Sequence, residues 1–161
     1  GEAAGAEAMS LEKGMIVLST AALYEMLALR QQVFVLEQAC LYPDIDGLDP
    51  GAHHLLGWKT GASKRELVAT LRCLAPGAKY DEMSLGRVGT SPSTRGTGLG
   101  RALVAQGIAC ADRLHPGHAI RIGAQAHLEA FYASFGFRTV CAPYDEDGIL
   151  HIDMLRPDAV I

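Results

Sequence analysis

The sequence predicts one mixed α/β (α+β) domain, and three observations carry that prediction. The chain has 161 residues, 49% hydrophobic and 20% charged, a globular composition with length enough for one core. Apolar residues recur at helical spacing in some stretches and at strand spacing in others. The two kinds interleave in the order helix, three strands, helix, strand, helix, two strands, with no linker-like stretch between them.

Gly1 to Ala8, a run of Gly, Ala and Glu ahead of Met9, reads as an appended remnant, which leaves 9–161 as the domain. Leu23, Met26, Leu27, Arg30, Val33 and Phe34 stand at helical spacing, so 20–38 is an amphipathic helix. Leu41 to Gly51 is dense in Pro, Gly and Asp and reads as a long loop with room for one helical turn. His54–Trp58 and Leu67–Leu74 are consecutive strands across a hairpin turn over Thr60–Arg65. Met83–Thr90 is the third strand, and Ser91-Pro92-Ser93-Thr94 breaks it. Gly98–Leu114 carries Leu99, Ala102, Leu103, Ile108 and Ala109 on a helix that His115-Pro116-Gly117 ends. Ala119–Gly123 is a short strand, and Ala126–Phe135 a helix closed by Gly136. Phe137–Cys141 and Leu150–Leu155 are strands around the acidic loop Tyr144–Gly148.

Charge and composition exclude several functions. The net charge of −4 offers no general attraction to nucleic acid or anionic lipid, so neither is an expected partner. No apolar run approaches the roughly 18–20 residues of a membrane-spanning helix. Cys40, Cys73, Cys110 and Cys141 are far apart and lack zinc-ligand spacing, so no metal is expected. They fit small buried hydrophobes in a reduced, cytoplasmic protein, and the first residues lack the basic patch and apolar core of a secretory signal.

Chemistry concentrates in Val88-Gly89-Thr90-Ser91-Pro92-Ser93-Thr94-Arg95-Gly96-Thr97-Gly98-Leu99-Gly100-Arg101, a strand, turn, glycine-rich loop and helix start. Free amides at a helix N-terminus bind anions, glycines let a ligand approach the backbone, and two arginines flank the loop. A diphosphate is the expected ligand. No lysine follows the glycines, so the nucleoside-triphosphate loop does not fit, and Gly96-x-Gly98-x-Gly100 is one residue too tight for the dinucleotide fingerprint.

Arg95-x-x-Gly98-x-Gly100 instead resembles the [QR]xxGx[GA] loop of the GCN5-related N-acetyltransferases (GNAT). Gln125 to Phe137 is similar to that family's Nxx(A)xxxYxxxGF helix, and Val88-Gly89-Thr90-Ser91-Pro92 to its VxVxP strand. Val33–Gln38, Asp44–Gly47, His54–Trp58, Gly123–His127 and Glu146–His151 resemble the ElaA-type bacterial subgroup. The resemblance implies a single GNAT-like domain, with a mixed, mostly antiparallel sheet splayed between strands 4 and 5 and helices on both faces.

It also implies an N-acetyltransferase that moves an acetyl group from acetyl-CoA to a primary amine by direct attack in a ternary complex. The backbone of Val88, Gly89 and Thr90 would bond the pantetheine arm. Arg95 and the amides of Gly96, Thr97, Gly98, Leu99, Gly100 and Arg101 would hold the pyrophosphate. Gln125, one methylene longer than the family's usual Asn, would add a hydrogen bond. Tyr132 stands where the family places its general acid, which would protonate the leaving thiolate; a thiol has a pKa of about 8.5 and a tyrosine about 10, so that transfer needs proximity and a favourable field.

Attack requires a neutral amine and hence a proton acceptor. Glu37 and His127 are the leading base candidates, with Asp44, Asp46, Glu146, Asp147, His151 and a water chain also open. In GNAT folds the first helix–loop region and the last strand pair wall the acceptor site, so Asp46, Glu146, Asp147 and His151 would attract a cationic small-molecule or peptide amine. GNAT relatives often dimerise, so a homodimer is in scope. The rival from another class is a non-catalytic acyl-CoA-binding sensor. Covalent catalysis by Cys40 with His54 has nothing to orient it.

Overall fold

Two sheets that meet at one corner make the frame. The computed structural model describes residues 8–13, 18–60 and 64–158. In the first sheet β1 (Ala8–Lys13), β2 (His53–Thr60), β3 (Arg65–Leu74) and β4 (Ser84–Thr90) lie in sequence order, each antiparallel to the next. In the second, β8 (Ile149–Arg156) pairs with β5 (Ile120–Gln125) along one edge. β6 (Arg138–Thr139) and β7 (Tyr144–Glu146) share its other edge, opposite residues 154–155 and 149–151.

The corner between the sheets decides the architecture. Met83 and Ile120 form a single parallel bridge, with the Arg121 N–H donating to the Met83 carbonyl at 2.8 Å. Beyond it β4 and β5 run the same way without pairing and leave a wedge at their C-terminal ends. β4 is bulged there: Thr70 faces Gly89 but Arg72 faces Gly86, and Arg87 sits at φ 49°. An extra residue on one strand bends it and sharpens its twist, which turns β4 from β5.

Helices cover both faces. α1 (Thr20–Arg30) starts at Ser19, whose Oγ accepts the Ala22 N–H at 3.0 Å, and continues into a wider π-helical segment over Gln31–Glu37. With Leu56, Trp58 and Leu67 it forms one core cluster. α2 (Leu99–Leu114) and α3 (Glu129–Ala133), the latter after a 3₁₀ turn at Ala126–Leu128, pack Leu99, Leu103, Ile108 and Tyr132 against the opposite face. α2 comes close enough that a Cβ on Gly107 would fall 2.6 Å from Leu71.

The structure departs from the sequence reading in four elements. A strand begins at Ala8, paired with Trp58, while residues 1–7 and the hairpin tip 61–63 lie outside the described residues. The helix expected over 20–38 changes pitch after Arg30, and this seats Val33 and Phe34 against Gly89 of β4. The strand expected over 137–141 shrinks to two exposed residues at the sheet edge, and the acidic loop contains β7. Among the described residues no helix is long and apolar enough to cross a membrane.

The loop over Leu41–Gly51 carries its expected helical turn at Asp49–Gly51, and buried charge holds it. The Arg30 guanidinium donates to Asp49 at 2.7 Å and Asp44 at 2.9 Å; Arg72 donates to Asp46 at 2.8 Å and Asp49 at 3.2 Å. Arg30, Arg72 and Asp49 are almost wholly enclosed. His54, fully buried, takes the Asp49 carbonyl at 3.0 Å, and burial lowers its pKa.

Candidate active site

The wedge between β4 and β5 opens into a cleft of about 630 Å³. Val88, Gly89 and Thr90 line one wall and Gln125 the other. The π-helical segment contributes Glu37, α3 contributes Tyr132, and the β7–β8 hairpin contributes Glu146, Asp147 and His151. Gly89 packs closely, because a Cβ there would lie 3.0 Å from the Phe34 ring and the ring would have to give by a few tenths of an ångström.

At one mouth lies the glycine loop. Gly96 and Gly98 take φ of 77° and 85°, in the left-handed region that glycine enters without steric cost. Gly98 is the N-cap of α2 and no side chain caps the helix, so the amides of Leu99, Gly100 and Arg101 lack intrahelical acceptors. A Cβ at Gly96, Gly98 or Gly100 would meet nothing within 4 Å, which leaves room for a ligand against the backbone. Leu99 is buried, so only its amide is available to a ligand.

Both flanking arginines are engaged within the protein. Arg95 ion-pairs with Glu37 and donates to the Thr90 carbonyl at 3.1 Å, tying the loop to the π-helical segment. Arg101 donates to Ser134 Oγ at 3.1 Å and stacks on Phe131 and Phe135. Gln125 Nε2 donates to Gln38 Oε1 at 3.3 Å across the wedge. The sequence reading missed Gln38; its only signal is that it follows Glu37 at the end of the first helix.

Tyr132 is buried edge-on against Phe131 and Phe137 and lines the cleft. Burial pushes its hydroxyl up to about 12, so it stays protonated at neutral pH. No described residue hydrogen-bonds that hydroxyl, which leaves it available to the cleft.

The acceptor-side candidates divide. Glu146, Asp147, His151 and His127 line the cleft, and Glu37 lines it while paired to Arg95. Asp46, also expected to bind substrate, is not among the lining residues. Its carboxylate pairs with the enclosed Arg72 and with Arg87, which itself lines the cleft. Burial works to raise the Asp46 pKa, but hydrogen bonds from Arg72 and the Leu48 N–H outweigh it and hold the group at about 2. Asp44 ion-pairs with Arg30 and Arg87. Cys40, read from sequence as a buried hydrophobe, is buried but also lines the cleft and donates to the Asp147 carbonyl at 3.2 Å.

His151 is held more firmly than any other imidazole on the wall. Its Nδ1 lies 2.8 Å from the Ile149 carbonyl, its Nε2 3.4 Å from Glu146 Oε2, and its ring stacks on Tyr144. The Tyr144 hydroxyl donates to Asp153 at 2.6 Å, and Arg121 holds the other oxygen of that carboxylate at 2.9 Å. His127, by contrast, is exposed, and no described residue hydrogen-bonds either ring nitrogen.

Known proteins share this fold. Residues 70–156 match the model of the acetyltransferase (GNAT) domain. A UPF0039 protein of Synechocystis sp. is 50% identical over 138 residues, 86% of this chain and 88% of its own. A crystal structure of an acyl-CoA N-acyltransferase from Pseudomonas aeruginosa superposes with a TM-score of 0.85 at 40% identity, over 92% of this chain and 98% of that one. Escherichia coli ElaA superposes with a TM-score of 0.82 at 39% identity, over 92% of this chain and 99% of that one. A strand wedge bridged at one end, an uncapped glycine loop at its mouth and relatives at this level of identity have one common meaning: the chain belongs to the GNAT acetyltransferase family.

Proposed function

We propose that the protein transfers an acetyl group from acetyl-CoA to a primary amine by direct attack in a ternary complex. The observation that carries this is the wedge itself: two parallel strands bridged only at Met83–Ile120, with uncapped amides of a sixteen-residue helix at the mouth. The unpaired edges of β4 and β5 offer an extended arm the hydrogen bonds that strands otherwise give each other. The α2 amides and dipole suit a pyrophosphate. Open space beside Gly96, Gly98 and Gly100 lets such a group approach the backbone. Acetyl-CoA supplies the activated acyl group and a thiolate leaving group.

Residues of this chain then have defined tasks. Val88–Thr90 present backbone to the arm, and holding the amine beside the thioester supplies much of the rate through proximity. Tyr132 donates a hydrogen bond to the departing sulfur. From a hydroxyl at about 12, full transfer to a thiol of about 8.5 is uphill by about 5 kcal/mol, so the hydroxyl acts by stabilising developing charge and yields its proton late. Tyr132→Phe lowers kcat about 100-fold and leaves acetyl-CoA affinity unchanged. Equal kcat in the two proteins across pH would remove Tyr132 from the chemistry. The deciding experiment is thiol release from acetyl-CoA over a panel of primary amines, with calorimetry for binding. Release that depends on the amine supports the enzyme; binding without release points to a sensor.

A further inference from the structure

Resting on the acyltransferase reading, we propose that His151, seated by Glu146, is the general base that takes the proton from the acceptor's ammonium group. A carbonyl oxygen can only accept, so the 2.8 Å contact with Ile149 puts the ring proton on Nδ1. The neutral ring then carries its lone pair on Nε2. That atom is 3.4 Å from Glu146 Oε2, and both residues line the cleft. While the ring is neutral, no proton lies between Nε2 and the carboxylate. Once Nε2 takes a proton, the imidazolium has the Glu146 carboxylate 3.4 Å away to stabilise its charge. The base is thus oriented before it acts and its product is stabilised afterwards.

The surroundings keep the ring in that pose. Tyr144 of β7 stacks on it at 6.1 Å between centroids, and is itself fixed through Asp153 to Arg121. Gln125 of β5 lies opposite His151 in the strand register and is occupied with Gln38. Asp147 follows Glu146 in the turn, where Cys40 of the α1 loop holds its carbonyl. The other candidates are worse placed. Glu37 is committed to Arg95, Asp46 to Arg72 and Arg87, and His127 has neither nitrogen oriented.

The protons balance. Of the three on the ammonium nitrogen, one stays on the amide, one leaves through His151 Nε2 to solvent, and one restores the Tyr132 hydroxyl after that group has given its proton to the sulfur. The nitrogen lone pair forms the C–N bond, and the C–S bond breaks with its electron pair on sulfur.

The test uses His151→Gln and His151→Asn, with acetyl-CoA and the best acceptor from a panel of primary amines that includes weakly basic ones. Acetyl-CoA affinity and melting temperature of each variant establish that the fold is kept. At neutral pH kcat/KM for the amine falls about 100- to 10,000-fold. The deficit then narrows as pH rises, because solvent deprotonates the amine and the base is no longer needed. Glu146→Gln gives a smaller loss with the same narrowing. A variant with wild-type kcat/KM at every pH overturns the assignment and leaves the acyltransferase reading intact. So does a deficit that is constant with pH, which marks a structural role. Acetyl-CoA binding by the wild type with no release for any amine overturns the acyltransferase reading and this inference with it.

Discussion

Two loops of this protein handle charge in opposite ways. Leu41–Gly51 gathers Asp44, Asp46 and Asp49 and closes them internally on Arg30, Arg72 and Arg87. Residues 95–101 carry no carboxylate and leave the first amides of α2 uncapped. The acidic loop spends its charge on holding itself to the sheet. The glycine loop leaves its backbone partial charges unspent, which is what an anion site requires. A charged stretch therefore signals a ligand only when its partners are missing from the fold.

The sharpest way to break this contrast is to unpair the buried network. Removing one partner of a buried ion pair leaves the others uncompensated and costs about 3–5 kcal/mol. Arg30→Ala accordingly lowers the unfolding free energy by about that amount in urea titration. A change below about 1 kcal/mol would mean that the network is no more than a surface pair.

Acid probes the same network without mutation. Asp46 is held at about 2 and Asp49 is also lowered, against an unfolded value of about 3.9. Lowered carboxyl values mean that stability is in full force above about pH 4 and is lost as pH falls towards 2. His54 adds an earlier loss. Its folded value lies below the unfolded one of about 6.5, so the unfolded chain binds protons first and stability declines below about pH 6.5. Urea midpoints measured down the pH scale should show both stages, and Asp46→Asn should flatten the lower one.

The glycine loop responds differently. Gly98→Ala forces a side chain into φ 85° at a strain of about 1–2 kcal/mol. The expected loss in acetyl-CoA affinity, about tenfold by calorimetry, corresponds to about 1.4 kcal/mol. Unchanged affinity would refute the loop as an anion site. The smallest effect is expected at the bridge across the wedge: Gln38→Ala removes one hydrogen bond worth about 1 kcal/mol and raises KM a few-fold with kcat nearly unchanged.

Legibility followed the range of the interactions. The glycine loop and Tyr132 were readable because a turn, a helix start and a helical face are written within a few residues. The pairing of Asp46 was not legible because its partners Arg72 and Arg87 are 26 and 41 residues away, and a free carboxylate and a paired one look alike in sequence. β7 was hidden because three residues are too few to show alternation, and the change of pitch after Arg30 because it answers to the contact of Phe34 with Gly89.

By itself the sequence determined most of the helices and strands, the glycine loop ahead of α2 and the family, since propensity, glycine conformation and spacing act locally. Tertiary structure alone decided which acids pair internally, that Arg95 reaches Glu37, and that His151 is held at Nδ1 by the Ile149 carbonyl with Glu146 beside Nε2. Those outcomes depend on which distant side chain arrives first within hydrogen-bond reach, and only packing settles that.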